Sequence, residues 1–256
     1  MYLRAVHAEE DIPLLQQFIH DNPLGILTTA IKSPQYPFIQ SSHIPFIIDT
    51  PQSNDDSPGV LRGHVAKQNP QAKALMEALA AQQKQGQSTL ELLDEVLVLF
   101  NGPHHHYVTP KFYTETKPVS GKVVPTWNYS AVQAYGKIKV YCDSKSDETG
   151  SFLQTQVEQL SRHAETSVMG HTGGDKPSPW AVSDAPVSYV DLLKKNIIGI
   201  EIRLERLQGK FKMSQEMGTG DREGVIKGFG NLGTEVGDGI SATVKERSAL
   251  KEQSPS

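Results

Sequence analysis

Strict alternation of apolar and polar positions is the strongest signal in this chain. From Tyr129 to Cys142, the residues Val132, Ala134, Gly136, Ile138 and Val140 fall on one side, and Gln133, Lys137 and Lys139 on the other. That two-residue period predicts a long strand with one buried face. Ile198, Ile200, Ile202 and Leu204 alternate with Glu201, Arg203 and Glu205 in the same way, giving a final strand. Shorter apolar and β-branched runs predict strands at Gly25–Ile31, Phe38–Ile48, Val60–Lys67 and Glu95–Asn101, with His104–Tyr113 extended. Glu95–Asn101 is apolar on both faces, as a central strand is.

Helical spacing is rarer. Leu14, Leu15, Phe18 and Ile19 predict a helix over 9–20 that Asn22-Pro23 ends, and Leu153, Val157, Leu160 and Ala164 predict another over 147–165. Asn69-Pro70 opens a third, with Ala72, Leu75, Met76 and Leu79 on one face. It decays into a Gln-rich turn around Gly86. Val187–Lys195 reads as a short helix, while Asp49–Gly59 and Gly170–Pro179 read as loops. About six strands with few helices between them do not make a βαβ chain; a mainly β, α+β fold built on an antiparallel barrel with peripheral helices fits the pattern. Gly218–Ser256 is Gly-dense, yet Val225, Phe229, Leu232, Val236, Ile240 and Val244 recur every three or four positions. The expectation is a domain over 1–216 and a tail over 217–256, amphipathic or disordered.

Composition narrows the function classes. The chain has 256 residues, a formal charge of −4 and a single cysteine, Cys142. Without a partner for a disulfide and without a leader-like start, the expected compartment is reducing: the cytoplasm, with the nucleus as alternative. No apolar run reaches the roughly 20 residues of a membrane span. The acidic balance and the lack of a helix-turn-helix pattern argue against direct DNA binding.

Candidate chemistry is sparse. Gly228-Phe229-Gly230-Asn231-Leu232-Gly233 matches a dinucleotide fingerprint in letters but lacks the preceding strand and the later acidic residue. Cys142 has no activating neighbour in sequence. In His104-His105-His106 a strand would point His104 and His106 one way, which keeps haem ligation open as an alternative, though no metal site is predicted. Ser41-Ser42-His43, together with His64, Lys67 and the helix start at Asn69-Pro70, supplies hydroxyls, imidazoles, a cation and free amides: the makings of a phosphate cradle.

Six blocks, two of which hold this cradle, point further. NPLGILTT (22–29), SSHIPF (41–46), LRGHVAKQNPQ (61–71), VLVLFNGPHHHYVTPKFY (96–113), KVVPTWNYSAVQAYG (122–136) and PWAVSDAPVSYVDLLKKNIIGIEI with GKFKMSQ (179–215) together resemble the PaiB-type family, FMN-binding negative transcriptional regulators. The resemblance covers about residues 1–226 and implies an FMN-binding split β-barrel, usually a homodimer, that acts as a flavin-dependent oxidoreductase or a redox-linked regulator working through a partner. It places Ser42, His43, His64 and Lys67 in the first half of the pocket. Trp127, Asn128, Lys210, Ser214 and Gln215 would complete it, from the same or the other subunit. The family's last block ends closer to KLSQN, so Glu216 stands where a neutral amide is expected.

Overall fold

The computed structural model describes residues 1–50, 57–86 and 89–253. In chain order its main elements are β1 (Ala8–Glu9), α1 (Ile12–Asp21), β2 (Leu24–Ala30), β3 (Ile39–Pro45), β4 (Ile47–Asp49), β5 (Val60–Ala66), α2 (Pro70–Lys84), β6 (Glu91–Asn101), β7 (His106–Val108), α3 (Thr116–Ser120), β8 (Thr126–Tyr141), α4 (Asp147–His163), α5 (Val187–Lys194), β9 (Ile197–Lys212), α6 (Thr219–Gly230) and α7 (Glu235–Gln253). The chain divides into two compact units. Unit 1 comprises residues 1–11, 101–132 and 208–256; unit 2 comprises 12–100 and 133–207. Among the described residues no helix is long and apolar enough to cross a membrane.

Unit 2 is built on antiparallel strands in the order β3-β2-β6-β8-β9-β5-β4. The alternation read in β8 is real: Ala134, Ile138 and Val140 are fully buried, while Gln133, Lys137 and Lys139 are half-exposed. The two ends of the strand order approach each other, because Ile44 of β3 and Phe46 lie against Gly63 of β5, where a Cβ would meet their side chains at 3.1–3.2 Å. Phe46 also packs edge-on against Phe100, centroids 6.0 Å apart. Leu27, Leu61, Val98, Ile200 and Ile202 fill the space around them. This is the predicted class: mainly β, an antiparallel split barrel with peripheral helices.

Some boundaries differ for physical reasons. The predicted strand Phe38–Ile48 is two strands. Pro45 has no N–H to continue a ladder, and Phe46 turns its ring into the core while its own N–H bonds Pro23 O at 2.8 Å. β3 therefore pairs with β2, and β4 with β5. The last strand does not stop at Leu204 but runs on to Lys212, where Ala8 and Glu9 pair with Lys210 and Gly209. Part of the predicted loop 49–59 and of the turn near Gly86 lies outside the described residues.

In unit 1 the Gly-rich stretch forms two helices, α6 and α7. Val225, Phe229, Ile240 and Val244 are fully buried. Gly220, Gly224 and Gly228 recur every four residues on one face of α6. A Cβ on Gly224 would sit 2.1 Å from Phe112 O, and one on Gly228 2.4 Å from the Phe112 ring. Gly233, at φ +63°, makes the turn into α7. The fingerprint-like run is thus a helix-packing and helix-ending device. Asp221, fully buried, accepts the N–H groups of Glu115 and Thr116 at 2.9 and 3.1 Å, and Glu115 accepts the N–H of Gly220 at 2.9 Å.

Gly224→Ala is expected to destabilise the protein by about 1–3 kcal/mol through overpacking against Phe112. Gly150→Ala, on α4 in open space, is expected to stabilise it by about 0.5–1 kcal/mol. Urea unfolding of the two variants side by side checks the contrast.

Candidate functional site

The sequence-predicted residues divide between the two units. In unit 2 the cradle forms where β5 runs into α2. Asn69 caps that helix, its side chain accepting the N–H of Gln71 at 2.8 Å while its amide donates to Ser42 Oγ at 2.9 Å. Ser42 keeps its own hydroxyl proton free for another acceptor. Lys67, two residues before the cap, makes no ion pair among the described residues. Gln71, 2 % exposed, fastens the helix start to β2 and β3 by donating to Leu27 O, Thr29 Oγ1 and Gln40 O at 3.0–3.1 Å. Among the described residues, two buried atoms on this corner find no partner: Gln40 Nε2, a donor, and Gln71 Oε1, an acceptor.

Strand geometry separates two of the other candidates, Ser41 and His43, from Ser42. Successive side chains alternate, so Gln40, Ser42 and Ile44 face one way while Ser41 and His43 face the other and are exposed. There Ser41 Oγ and Thr28 Oγ1 share a hydrogen bond at 2.9 Å. The register aligns His43 with Ile26 and Leu99, and Ser41 with Thr28 and Leu97. His64 sits on β5 with its Nδ1 buried and without a partner among the described residues. Burial pushes its pKa down, so near neutral pH it is an uncharged imidazole and adds no cation to the cradle. Cys142 is half-buried; burial raises its thiol pKa against the opposing charge of Lys67.

In unit 1, four of the five candidates turn their polar groups inward. Asn128, fully buried, and Ser214 hydrogen-bond side chain to side chain at 3.2 Å. Ser214 holds a left-handed φ of +62°, a conformation a serine adopts at a cost. Gln215 clamps its own turn, accepting the N–H of Met213 and donating to Phe211 O, both at 2.6 Å. Lys210, nearly buried, donates to Tyr2 O at 3.0 Å and lies 5.4 Å from the Tyr129 ring centre. Trp127 alone is open. It is 49 % exposed on the wall of a cavity of about 460 Å³ that is also lined by Asn101, Gly102, Pro103, His105, Tyr129 and Ser130.

The three histidines alternate as a strand requires. His104 is pressed onto α7, where a Cβ on Gly239 would meet its ring at 2.2 Å, and His106 packs edge-on against Phe229 at 5.5 Å. Only His105 lines the cavity, with Trp127 Nε1 donating to its Nδ1 at 3.4 Å. Among the described residues no group of three or more His, Cys, Asp or Glu could hold a metal ion. Sequence reasoning missed Gln40, Gln71 and the cavity residues Asn101 and Tyr129. The alternation through Tyr129 to Gln133 was the signal that could have placed Tyr129 beside Trp127 on one face.

Comparison with known proteins follows this geometry. The sequence profile of a family described as "Putative FMN-binding domain" matches residues 1–206. An uncharacterized protein of Aspergillus fumigatus is 74 % identical over 260 residues, covering 99 % of this chain and 100 % of its own. The Bacillus subtilis "Protease synthase and sporulation protein PAI 2" is 27 % identical over 230 residues, covering 90 % of this chain and 87 % of its own. A solved structure of a conserved hypothetical protein from Mycobacterium tuberculosis aligns with a TM-score of 0.46 at 13 % identity, covering 85 % of this chain and 94 % of that one.

A histidine whose pKa is lowered by folding takes up its proton more readily in the unfolded chain. His64 and His163 are both shifted that way, His163 by burial and then by the ring of His20, 4.5 Å away. Their contribution is therefore complete above the unfolded value of about 6.5 and is lost as pH falls below it. Urea midpoints are expected to drop between pH 7 and pH 5, and His64→Gln is expected to flatten part of that slope.

Proposed function

The chain belongs to the PaiB-type family described as "Putative FMN-binding domain", and from that premise we propose that it binds FMN, with the phosphate held at the Ser42–Lys67 corner of unit 2. The observation that carries this reading is the donor set at that corner. Gln40 Nε2 has no partner, Ser42 has a free hydroxyl proton, and Lys67 has no counter-ion among the described residues. All sit around the capped start of a 15-residue helix, where Pro70 has no N–H, Asn69 Oδ1 holds the Gln71 N–H and Asn69 O the Lys73 N–H, so side chains rather than helix amides supply the donors. A phosphate accepts from each of these donors, while Gln71 Oε1, the unpartnered acceptor on the same corner, is left for a donor of another kind.

When bound, FMN supplies reversible one- and two-electron transfer, and the chain supplies binding and orientation. Lys67 acts as the point charge on the phosphate, and Ser42 and Gln40 as hydrogen-bond donors. Neutral His64 serves as a hydrogen-bonding group rather than as charge. In unit 1, taken by itself, Trp127 is the residue with surface left to stack on a planar ring; Asn128, Lys210, Ser214 and Gln215 hold the turn and strand beneath it. The activity that fits this set is a flavin-dependent oxidoreductase or redox-linked role.

A second copy of the chain is the proposed partner. The outward rows His43–Ile26–Leu99 and Ser41–Thr28–Leu97, with Ile39 65 % exposed and Leu24 56 % exposed, form a sheet face of mixed apolar and polar residues with an edge strand beside it. Natural sheets cover such faces, and a homodimer does so with one self-complementary patch.

Protein incubated with FMN is expected to keep the flavin absorption bands through gel filtration. Lys67→Ala is expected to weaken FMN at least about tenfold, the effect of losing a charge-assisted phosphate contact. No retained flavin in the parent, or unchanged affinity in Lys67→Ala, would overturn the assignment. Haemin added in parallel is expected to give no protein-bound Soret band, since the rings of His104 and His106 are packed against α7 and Phe229. Ile39→Lys is expected to turn a dimer into a monomer by light scattering while leaving the far-ultraviolet circular dichroism unchanged.

A further inference from the structure

Glu216, the residue that departs from the family pattern, has two basic neighbours in unit 1. His7, 3 % exposed, meets Glu216 Oε2 through Nε2 at 3.0 Å, and Lys212 Nζ lies 3.9 Å from Oε1. Lys212 then donates to Thr126 Oγ1 and, at 3.1 Å, to the carbonyl of Trp127. The chain of contacts runs from the N-terminal segment, through the turn after β9, to the strand residue on the cavity wall. Ser214 and Gln215 fix that turn as described, and Lys251 of α7 adds a bond to Gln215 O at 2.8 Å.

We propose that Glu216 is a positioning residue: its negative charge holds Lys212, and Lys212 holds the Thr126–Trp127 backbone so that the indole stays on the wall of its cavity. The proposal deepens the flavin reading and rests on it for the purpose of holding Trp127. The mechanics stand on the contacts alone. A glutamine in this place would keep a hydrogen bond to His7 but would offer no charge to an ammonium 3.9 Å away. Lys212 needs that charge, because burial works against its protonated form and Lys210 and Arg4 repel it.

The groups around the relay set its pH dependence. His7 and Lys212 flank Glu216; Tyr113 faces it, its phenol pKa raised by burial and then by Glu216 and Asp221; Lys210, Arg4 and Tyr129 surround Lys212. Burial alone would raise the Glu216 carboxyl. The His7 hydrogen bond, a backbone N–H and the charges of His7 and Lys212 outweigh it and hold the group below the usual glutamate range. The relay is therefore complete above that range and is lost as pH falls through the lowered value.

The chain has two tryptophans, so Trp180→Phe leaves Trp127 as the sole one. In that background, without flavin, acrylamide quenching at pH 7 reads the exposure of the indole. Glu216→Gln is expected to raise the quenching constant about twofold by releasing the local contact. Lys212→Met should match it, the double variant should add nothing further, and Lys212→Arg should restore the parent value. From pH 7 to 3, over the range in which circular dichroism reports the native fold, the parent should show the rise only below the usual glutamate range, and Glu216→Gln should show no such step. An unchanged quenching constant in Glu216→Gln, or an equal acid step in it, overturns the proposal. Should Glu216→Gln fail to fold by circular dichroism, the Lys212→Met and Lys212→Arg pair carries the same test. Quenching coupled as expected in a protein that binds no FMN would remove the flavin reading and leave the relay standing; FMN bound without coupling would do the reverse.

Discussion

An amide or carboxylate taken out of water has to find hydrogen-bond partners, and four buried polar side chains of this protein find them by joining two elements. Gln71 ties the start of α2 to β2 and β3. Gln156, fully buried on α4, donates to Arg62 O of β5 at 3.2 Å. Asp221 ties α6 to the backbone ahead of α3, and Asn128 ties β8 to the turn at Ser214. A satisfied bond of this kind contributes only about 1 kcal/mol net, but an unsatisfied partner costs about 1–3 kcal/mol. Misplacing any of these elements would strand a buried group, so the bonds specify where helices and turns attach more than they add stability. The candidate anion site follows from the first of them, because the bridge that seats α2 also brings its capped first turn beside Ser42.

The strands were legible because one face of each is buried, and a single buried face writes itself as alternation. That is why the reading of β8 over 129–142 falls so close to the observed Thr126–Tyr141. It failed where the face changes. Pro45 and Phe46 swap the chain from one strand partner to another inside an unbroken apolar run, which hydrophobicity alone cannot mark. After Leu204 the side chains Glu205, Arg206 and Gln208 read as an ending, yet the backbone keeps pairing, as Lys210 and Gly209 do with Ala8 and Glu9. A partner from the first ten residues is a long-range fact with no local signal. The glycine run was misleading for the opposite reason: its letters suggested a nucleotide loop, while its spacing on α6 is the footprint of Phe112.

The candidate site was legible as a set of chemical types and not as an arrangement. Ser41, Ser42 and His43 are adjacent in sequence, and an argument from composition groups them. The pleat separates them, because a strand sends neighbours to opposite faces. What lies on the Ser42 side is polar, part-buried and short of partners, which suits a small anion. What lies on the Ser41 and His43 side is a registered patch in which half-exposed Ile26, Leu97 and Leu99 mix with Ser41, His43 and Thr28, which suits a protein surface. On the proposed reading, one strand offers a different surface on each of its faces. A substitution on either face of β3 should disturb one of them and spare the other, because residues that share a strand but not a face share few neighbours.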